Sequence, residues 1–475
     1  MKKDENRDVS YKKCFIRIMA GPINFNSKGI IPMEDQVWKK QDKNAPVALV
    51  KWKQNAIAEA IELCDGLKHF DPEMKVLIKP NLVEWVDTYP FSPYGVITTS
   101  SVIEATIRLL KDAGARNITV GDGCALNKEL GCETHILQDR LGYQYLVEKY
   151  GVKVVDFNEG DHQRVKLGPH FLRISQFAFD YDFIINLPAL KTHNLTKVTL
   201  CFKNLKGWLH PKSKRSAHNS KTTVDEYLFY LANRFYPDLN IIDGIYMLER
   251  GPMHTGKAHR ADLIVAGRDM FSVDIIGTTL LGVEPSDVIH LCLFAEAHKR
   301  RLDTDVIEVK GLNVEDNIRH PDVEAPWGDN DRIPDIFIKQ DLRGFELPLP
   351  KVLCTGCSIV FPNTLMLILA ANKGVPFDDY ELLAGKSSVP SGKAKKTFLL
   401  GDCPIGEHKK NPLIKKLISI PGCPPKHQDV LEALNAEGVE ADISAVERYF
   451  KHLVRQYKKL GFPREDYYFN PVFDK

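Results

Sequence analysis

At 475 residues, 44% apolar and 27% charged, the chain has the make-up of a globular protein of about three units, and disordered and fibrous classes are excluded. Its 64 basic and 62 acidic residues leave a formal charge of +2, so no global field recruits nucleic acid or an acidic membrane surface. No stretch approaches the ~18 uncharged apolar residues of a membrane span, and the opening MKKDENRDVSYKKC lacks a signal peptide's apolar core, so a cytoplasmic location is expected.

Residues 1–45 mix charge with the short apolar piece FIRIM and are read as an entry strand and surface arm. From Pro46 to Leu67 apolar positions recur at helical spacing (Val50, Ala56, Ile57, Ala60, Ile61, Cys64, Leu67), which predicts a helix. Met74 to Ile78 reads as a buried strand, and Ser101 to Ala113 as a helix capped by Thr98, Thr99 or Ser100. A strand from Asn117 to Val120 runs into Gly121-Asp122-Gly123, a helix follows near Ile136 to Tyr150, and a further strand spans Val152 to Asp156. Strands at Phe183–Leu187, Leu239–Asp243 and Asp262–Ala266, with helices at Val224–Asn233 and Asp274–Leu281, continue the alternation. That order predicts an α/β fold with a mostly parallel sheet flanked by helices over residues 46–314. The acidic, proline-rich segment 315–350 reads as a linker. Residues 351–475 form a smaller cysteine-rich α/β unit closed by an amphipathic helix, Ser444–Leu460.

The block IINLPALKTHNLTKVTLCFKNLKGWLHPKSKRSAH, residues 184–218, carries most of the functional expectation. Its strand ends at Pro188, a ladder-breaker, so Lys191, Thr192 and His193 are expected in a loop at a carboxyl strand end, where ligands of parallel sheets bind. Lys79, following a strand and pinned by Pro80, is expected at the same edge. Lys79, Asn81, Lys203, Asn204, Asp122 and Asp243 are therefore candidate contacts for a carboxylate or phosphate. Lys191, His193 and His218 are candidates for proton exchange, because histidine titrates near neutrality and lysine is depressed beside another cation. The plain alternative is solvated strand-end lysines and a satisfied loop histidine. Lys212, Lys214 and Arg215 are read as a surface loop's basic face. Asp269 and Asp274 are read as helix caps. The turn glycines carry no Walker or dinucleotide fingerprint, so no nucleotide site is predicted.

In combined order, VLIKPNLV, TTSSVIEATIRLLKDAGA, the GDG turn, INLPALKTHNLTKVTLCFKNLKG with His218, IIDGIYMLERGPMHTG and GRDMFSVDIIGTTLLG resemble the domain of unknown function 362 (DUF362) family over roughly residues 75–285. The resemblance implies a fold and a site without implying a reaction. Some members of that family carry iron–sulfur clusters. A more distant likeness is to the nickel-dependent lactate racemase fold.

Of the ten cysteines, four stand in turns of the C-terminal unit: Cys354-Thr-Gly-Cys357, Gly401-Asp402-Cys403-Pro404 and Pro421-Gly422-Cys423-Pro424-Pro425. Glycine and proline supply the bends that aim thiolates inward, and a proline after the ligand is a recurrent companion of cluster cysteines. Four thiolates serve a 4Fe–4S cluster or zinc; only the first pair has the close spacing of a zinc knuckle. Cys124, beside the GDG turn, is a candidate nucleophile or extra ligand. The expected protein is a cytoplasmic 4Fe–4S enzyme of anaerobic-type metabolism, an oxidoreductase or Lewis-acid catalyst acting on a small anionic metabolite. The alternatives are a non-catalytic iron–sulfur electron carrier with a redox partner protein, and a zinc-stabilised metabolite-binding protein. No nucleic-acid or membrane partner is expected.

Overall fold

The computed structural model describes residues 42–85, 91–218, 223–251, 253, 255–323, 327–328, 330–350, 352–386 and 388–467. The entry strand expected in FIRIM lies outside them. In chain order the strands are β1 (Val47–Lys51), β2 (Lys75–Pro80), β3 (Asn117–Asp122), β4 (Lys153–Asp156), β5 (His162–Leu167), β6 (His170–Ser175), β7 (Phe183–Leu187), β8 (Ala189–His193), β9 (Lys197–Val198), β10 (Leu239–Glu249), β11 (Lys257–Gly267), β12 (Val309–Gly311), β13 (Phe345–Glu346), β14 (Tyr380–Ala384), β15 (Lys396–Leu400) and β16 (Leu417–Ile420).

The large sheet has the order β12-β1-β11-β10-β7-β2-β3-β4. Along it β11 alone runs against its neighbours, pairing antiparallel with β1 and β10; the other contacts are parallel. From β2 the chain moves outward to β3 and β4, and from β7 it moves the other way to β10. The crossovers thus diverge between β2 and β7, which opens a crevice at their carboxyl ends.

Several elements differ from the sequence expectation. Val47–Lys51 is a strand, because VALVK is inserted between β11 and β12 and its first four residues are buried; the helix is confined to Ala56–Leu63. The helix near 136–150 is two, Thr134–Arg140 and Tyr143–Tyr150, broken at Gly142, whose φ of 68° is left-handed. Lys191–His193 are not a loop. Pro188 redirects the chain so that β7 pairs with the start of β10 and β8 with its later part, Leu248 opposite Lys191. β10 and β11 also run longer than expected, as an 11-residue pair.

One apolar cluster covers one face of the sheet and continues without break into the C-terminal unit through Ile368, Leu382, Phe398 and Val430. That unit is a parallel four-stranded sheet, β13-β14-β15-β16. The segment read as a linker is divided between the two bodies: Arg319 N donates to Leu280 O, whereas Phe345–Glu346 is an edge strand of the small sheet. The Ser444–Lys459 helix buries Val446, Phe450, Leu453 and Tyr457. Its end is fastened to the large sheet, with Ala258 N donating to Tyr457 Oη at 2.8 Å and Tyr246 Oη donating to Asp466 Oδ2 at 2.6 Å. Among the described residues no helix is long and apolar enough to cross a membrane.

Candidate functional site

The crevice at the ends of β2, β3 and β7 is a cavity of about 690 Å³, including the part open to solvent. Its polar wall consists chiefly of Asn81, Asp122, His193, Lys203, Lys206, Lys214 and His218. Three lysines and two histidines therefore face a single carboxylate among these groups. Leu353 and Ser358 complete the wall from the C-terminal unit.

Lys79 and Lys191 lie behind that wall, each 0% exposed, so neither is a solvated strand-end lysine. Lys79 Nζ is 2.7 Å from Asp122 Oδ1, and Asp122 Oδ2 accepts from Leu82 N at 2.7 Å. Burial lowers the lysine's pKa and Asp122 counters this. The expected anion contact at Lys79 is thus replaced by an internal ion pair. Lys191 Nζ donates to Val96 O at 2.6 Å, and burial lowers its pKa to about 7 against the opposing charges of Glu84 and Asp122. Gly207 lies against the Lys79–Asp122 pair. A Cβ there would collide with Asp122 Oδ1 and come 2.6 Å from Lys79 Nζ. Gly207→Ala is expected to cost about 1–3 kcal/mol by overpacking, which a denaturant melt would register; an unchanged midpoint would refute the close approach.

Lys206 and Lys214 face the cavity directly. Lys206 Nζ lies 2.6 Å from His218 Nε2, and burial followed by the Lys214 charge lowers its pKa to about 7. The proton between these two atoms belongs to Lys206, with His218 Nε2 as its acceptor. His218 itself is held well below the ordinary histidine range by burial and then by Lys206, Lys203 and Lys386, and its Nδ1 is buried without a partner among the described residues. Lys214, read from sequence as a surface residue, is buried: Nζ donates to Gly123 O at 2.7 Å, Cys124 O at 3.2 Å and Asn158 Oδ1 at 2.9 Å. Burial lowers its pKa to about 8.

His193 differs from the expectation of proton exchange. Its Nδ1 accepts from Leu195 N at 3.0 Å and Thr196 N at 3.3 Å, and burial with the Lys203 charge keeps it neutral. A neutral ring accepting at Nδ1 carries its proton on Nε2, so His193 is a fixed hydrogen-bond donor. Asn81 Nδ2 donates to Val96 O and Asn204 Nδ2 to Asn186 Oδ1, both at 2.8 Å; these amides shape the wall. Asp243 lies away from the cavity, where it accepts from Thr99 N at 2.6 Å and Ile245 N at 3.1 Å. Asp269 caps the Met270–Leu280 helix as expected, while Asp274 instead accepts from Cys201 N and Phe202 N, at 2.7 and 3.0 Å, and so fixes the turn that presents Lys203.

The four C-terminal cysteines come from three segments, two of them helix starts rather than the turns expected. Cys354 precedes the Thr355–Ala370 helix and Cys357 lies in its first turn. Cys403 opens the Asp402–His408 helix after β15, and Cys423 follows β16. Asp402 N donates to Gly422 O at 3.1 Å, and Gly422 N to Asp402 Oδ1 at 2.8 Å. A Cβ on Gly356 would lie 3.2 Å from Pro424. Hydrogen bonding from Cys357 lowers the Cys354 thiol, whereas Cys357 is raised by Cys354, burial, Cys403 and Cys423; the four sulfurs share one neighbourhood. Among the described residues no three metal-ligating side chains close on a single ion. Four thiols gathered from three segments are a donor set of the kind that both iron–sulfur clusters and zinc take. Cys124 is buried beside Cys132, with its Sγ 3.8 Å from Cys132 O.

The two features meet. Leu353 and Ser358, which flank the first cysteine pair, are cavity wall, and Lys386 Nζ donates to His218 O at 2.6 Å while its charge opposes the burial that raises the Cys403 thiol. Lys386 went unremarked in the sequence.

Residues 76–279 match the family described as Domain of unknown function (DUF362). A thylakoid-associated protein of Synechocystis sp. is 31% identical over 238 residues, covering 48% of this chain and 70% of that protein. The lactate racemase apoprotein of Thermoanaerobacterium thermosaccharolyticum is similar at 16% identity and a TM-score of 0.29, over 50% of this chain and 59% of that one, a correspondence too loose to transfer any residue. The family match covers β2 to the Met270–Leu280 helix, hence most of the lysine-lined wall, and with the Synechocystis relative it establishes that this chain belongs to the DUF362 family.

Proposed function

We propose that this protein binds a small carboxylate- or phosphate-bearing metabolite in the lysine-lined cavity and acts on it beside a 4Fe–4S cluster held by Cys354, Cys357, Cys403 and Cys423. The observation that carries the reading is the shared wall: Leu353 and Ser358 of the cysteine unit line the same cavity as Lys203 and Lys206. Lys206 and Lys214 supply positive charge from the cavity wall, and the His193 Nε2–H donates to an anionic oxygen. His218 Nε2 accepts from Lys206 Nζ, and Lys206 is the member of the pair that gives or takes a proton near neutrality. When bound, the cluster supplies a single electron or a Lewis-acidic iron. Exposure of Cys423 favours a second reading, an electron carrier in which this loop meets a redox partner protein.

Protein purified without oxygen is expected to be brown, with about four irons and matching sulfide per chain, and Cys423→Ala is expected to lose most of the colour. Zinc in place of iron, or a variant that keeps its full iron content, would overturn the cluster assignment. Electron transfer that survives Lys206→Met unchanged, with no turnover of a small anion by the unaltered protein, would favour the carrier.

A further inference from the structure

Five lysines surround the cavity, and four are already engaged. Lys79 is paired with Asp122, Lys191 donates to Val96 O, Lys206 meets His218 Nε2, and Lys214 is bound to Gly123 O, Cys124 O and Asn158 Oδ1. Lys203 lines the cavity, yet among the described residues its Nζ has no hydrogen-bond or ion-pair partner. The turn that carries it is fixed by Asp274 through Cys201 N and Phe202 N, so its position is set while its amine is uncommitted. The charges of Lys206 and Lys191 press on it, and His193 and His218 also face it. Asp225 is the opposing carboxylate, and that group is held by His290, 2.7 Å from Nδ1 and 3.2 Å from the backbone N.

We propose that Lys203 is a nucleophilic amine that condenses with the carbonyl carbon of an anionic oxo compound, such as a 2-oxo acid, whose charge is held by Lys206 and the field of Lys214. The assignment rests on the anion-cavity reading and names its substrate class. A desolvated lysine next to other cations is the environment that makes an amine nucleophilic at neutral pH. Burial is the main cause and Lys206 the next in holding Lys203 well below the ordinary lysine range, so its lone pair is available. In the condensation the Nζ lone pair forms the C–N bond as the carbonyl π pair moves to oxygen, which the His193 Nε2–H stabilises. One Nζ proton passes to that oxygen to give the carbinolamine. The C–O bond then breaks, a second Nζ proton leaves with the hydroxyl as water, and the C=N bond of an imine remains. No oxidant or reductant is consumed.

The test uses the full chain at pH 7 with glyoxylate or pyruvate and sodium cyanoborohydride, which delivers hydride to an imine and fixes it as a secondary amine. Intact mass followed by peptide mapping is expected to find one early adduct per chain, on Lys203, formed at least about tenfold faster than on any other lysine. Lys203→Arg removes the condensable amine and is expected to bind the oxo acid in a calorimetric titration while forming no adduct. Binding without an adduct in the unaltered protein, or an adduct on another lysine, overturns the nucleophile and leaves the anion cavity standing. Absence of both heat and adduct overturns the cavity reading with it. The mapping needs no variant, so a misfolded Lys203→Arg would not blunt the result.

Discussion

Asp122→Ala is expected to destabilise the protein by about 3–5 kcal/mol, the range for removing one partner of a buried ion pair. Lys79 is 0% exposed, and Asp122 is both its ion-pair partner and the acceptor for Leu82 N. Without the carboxylate the ammonium must either stay charged in an apolar wall or give up its proton. The loss therefore depends on pH. The folded pKa of Lys79 is already depressed by burial and falls further in the variant. Between that value and the unfolded lysine value of about 10.4 the unfolded chain binds the extra proton, so stability rises with pH across the window. The deficit is accordingly largest near neutrality and shrinks towards pH 10. Adding Lys79→Met is expected to recover much of it, because no buried charge is left. Denaturant melts of the single and double variants at pH 7 and 9.5 test this; a single variant within 1 kcal/mol of the parent would refute the role of the pair.

Anion affinity is expected to fall steeply as pH rises from 6.5 to 9. Lys206 and Lys214 titrate at about 7 and about 8, depressed first by burial. Below those values both are charged and an anion binds without proton exchange. Above them the amines are neutral, so binding must take up a proton at each, and affinity drops by up to about tenfold per pH unit per lysine. Facing Lys206 are Lys214, His218, Lys203, His193 and the Cys354 thiol. Lys214 faces Asp122, Cys124, Lys79 and Asp156. The two histidines stay neutral throughout, since both lie well below the ordinary histidine range. Sulfate is a suitable probe because its charge is constant across this window. Titration calorimetry in buffers of differing ionisation heat should register proton uptake above pH 7, reaching a hundredfold or more in affinity by pH 9; a flat profile would show that these lysines do not hold the anion.

Much of the architecture was legible in local signals. β7 occupies Phe183–Leu187 as read, because an apolar five-residue run ends at a proline. Thr99 caps the helix that begins at Ser100, and the Val224–Arg234 helix is capped by Thr223. Where the reading failed, the partner strand decided. VALVK has apolar residues that fit a helix face when extended into the following segment, but β11 and β12 flank it and take it as a strand. The residues after Pro188 look like a loop until β10, running long enough to pair with both β7 and β8, recruits them.

The sequence by itself determined the α/β alternation, the family blocks, the lysine- and histidine-rich segment and the four turn-borne cysteines, because periodicity, capping, proline and glycine act within a few residues. The tertiary structure decided what each charged group does. Lys79 loses its anion-binding role to Asp122, 43 residues away; Lys214 leaves the surface for the carbonyls of Gly123 and Cys124; and Lys386 reaches His218 across 168 residues. Protonation and availability depend on burial and on the nearest opposite charge, and both are set by contacts between distant parts of the chain. For that reason the two features meet at one cavity only once the small sheet has packed against the large one.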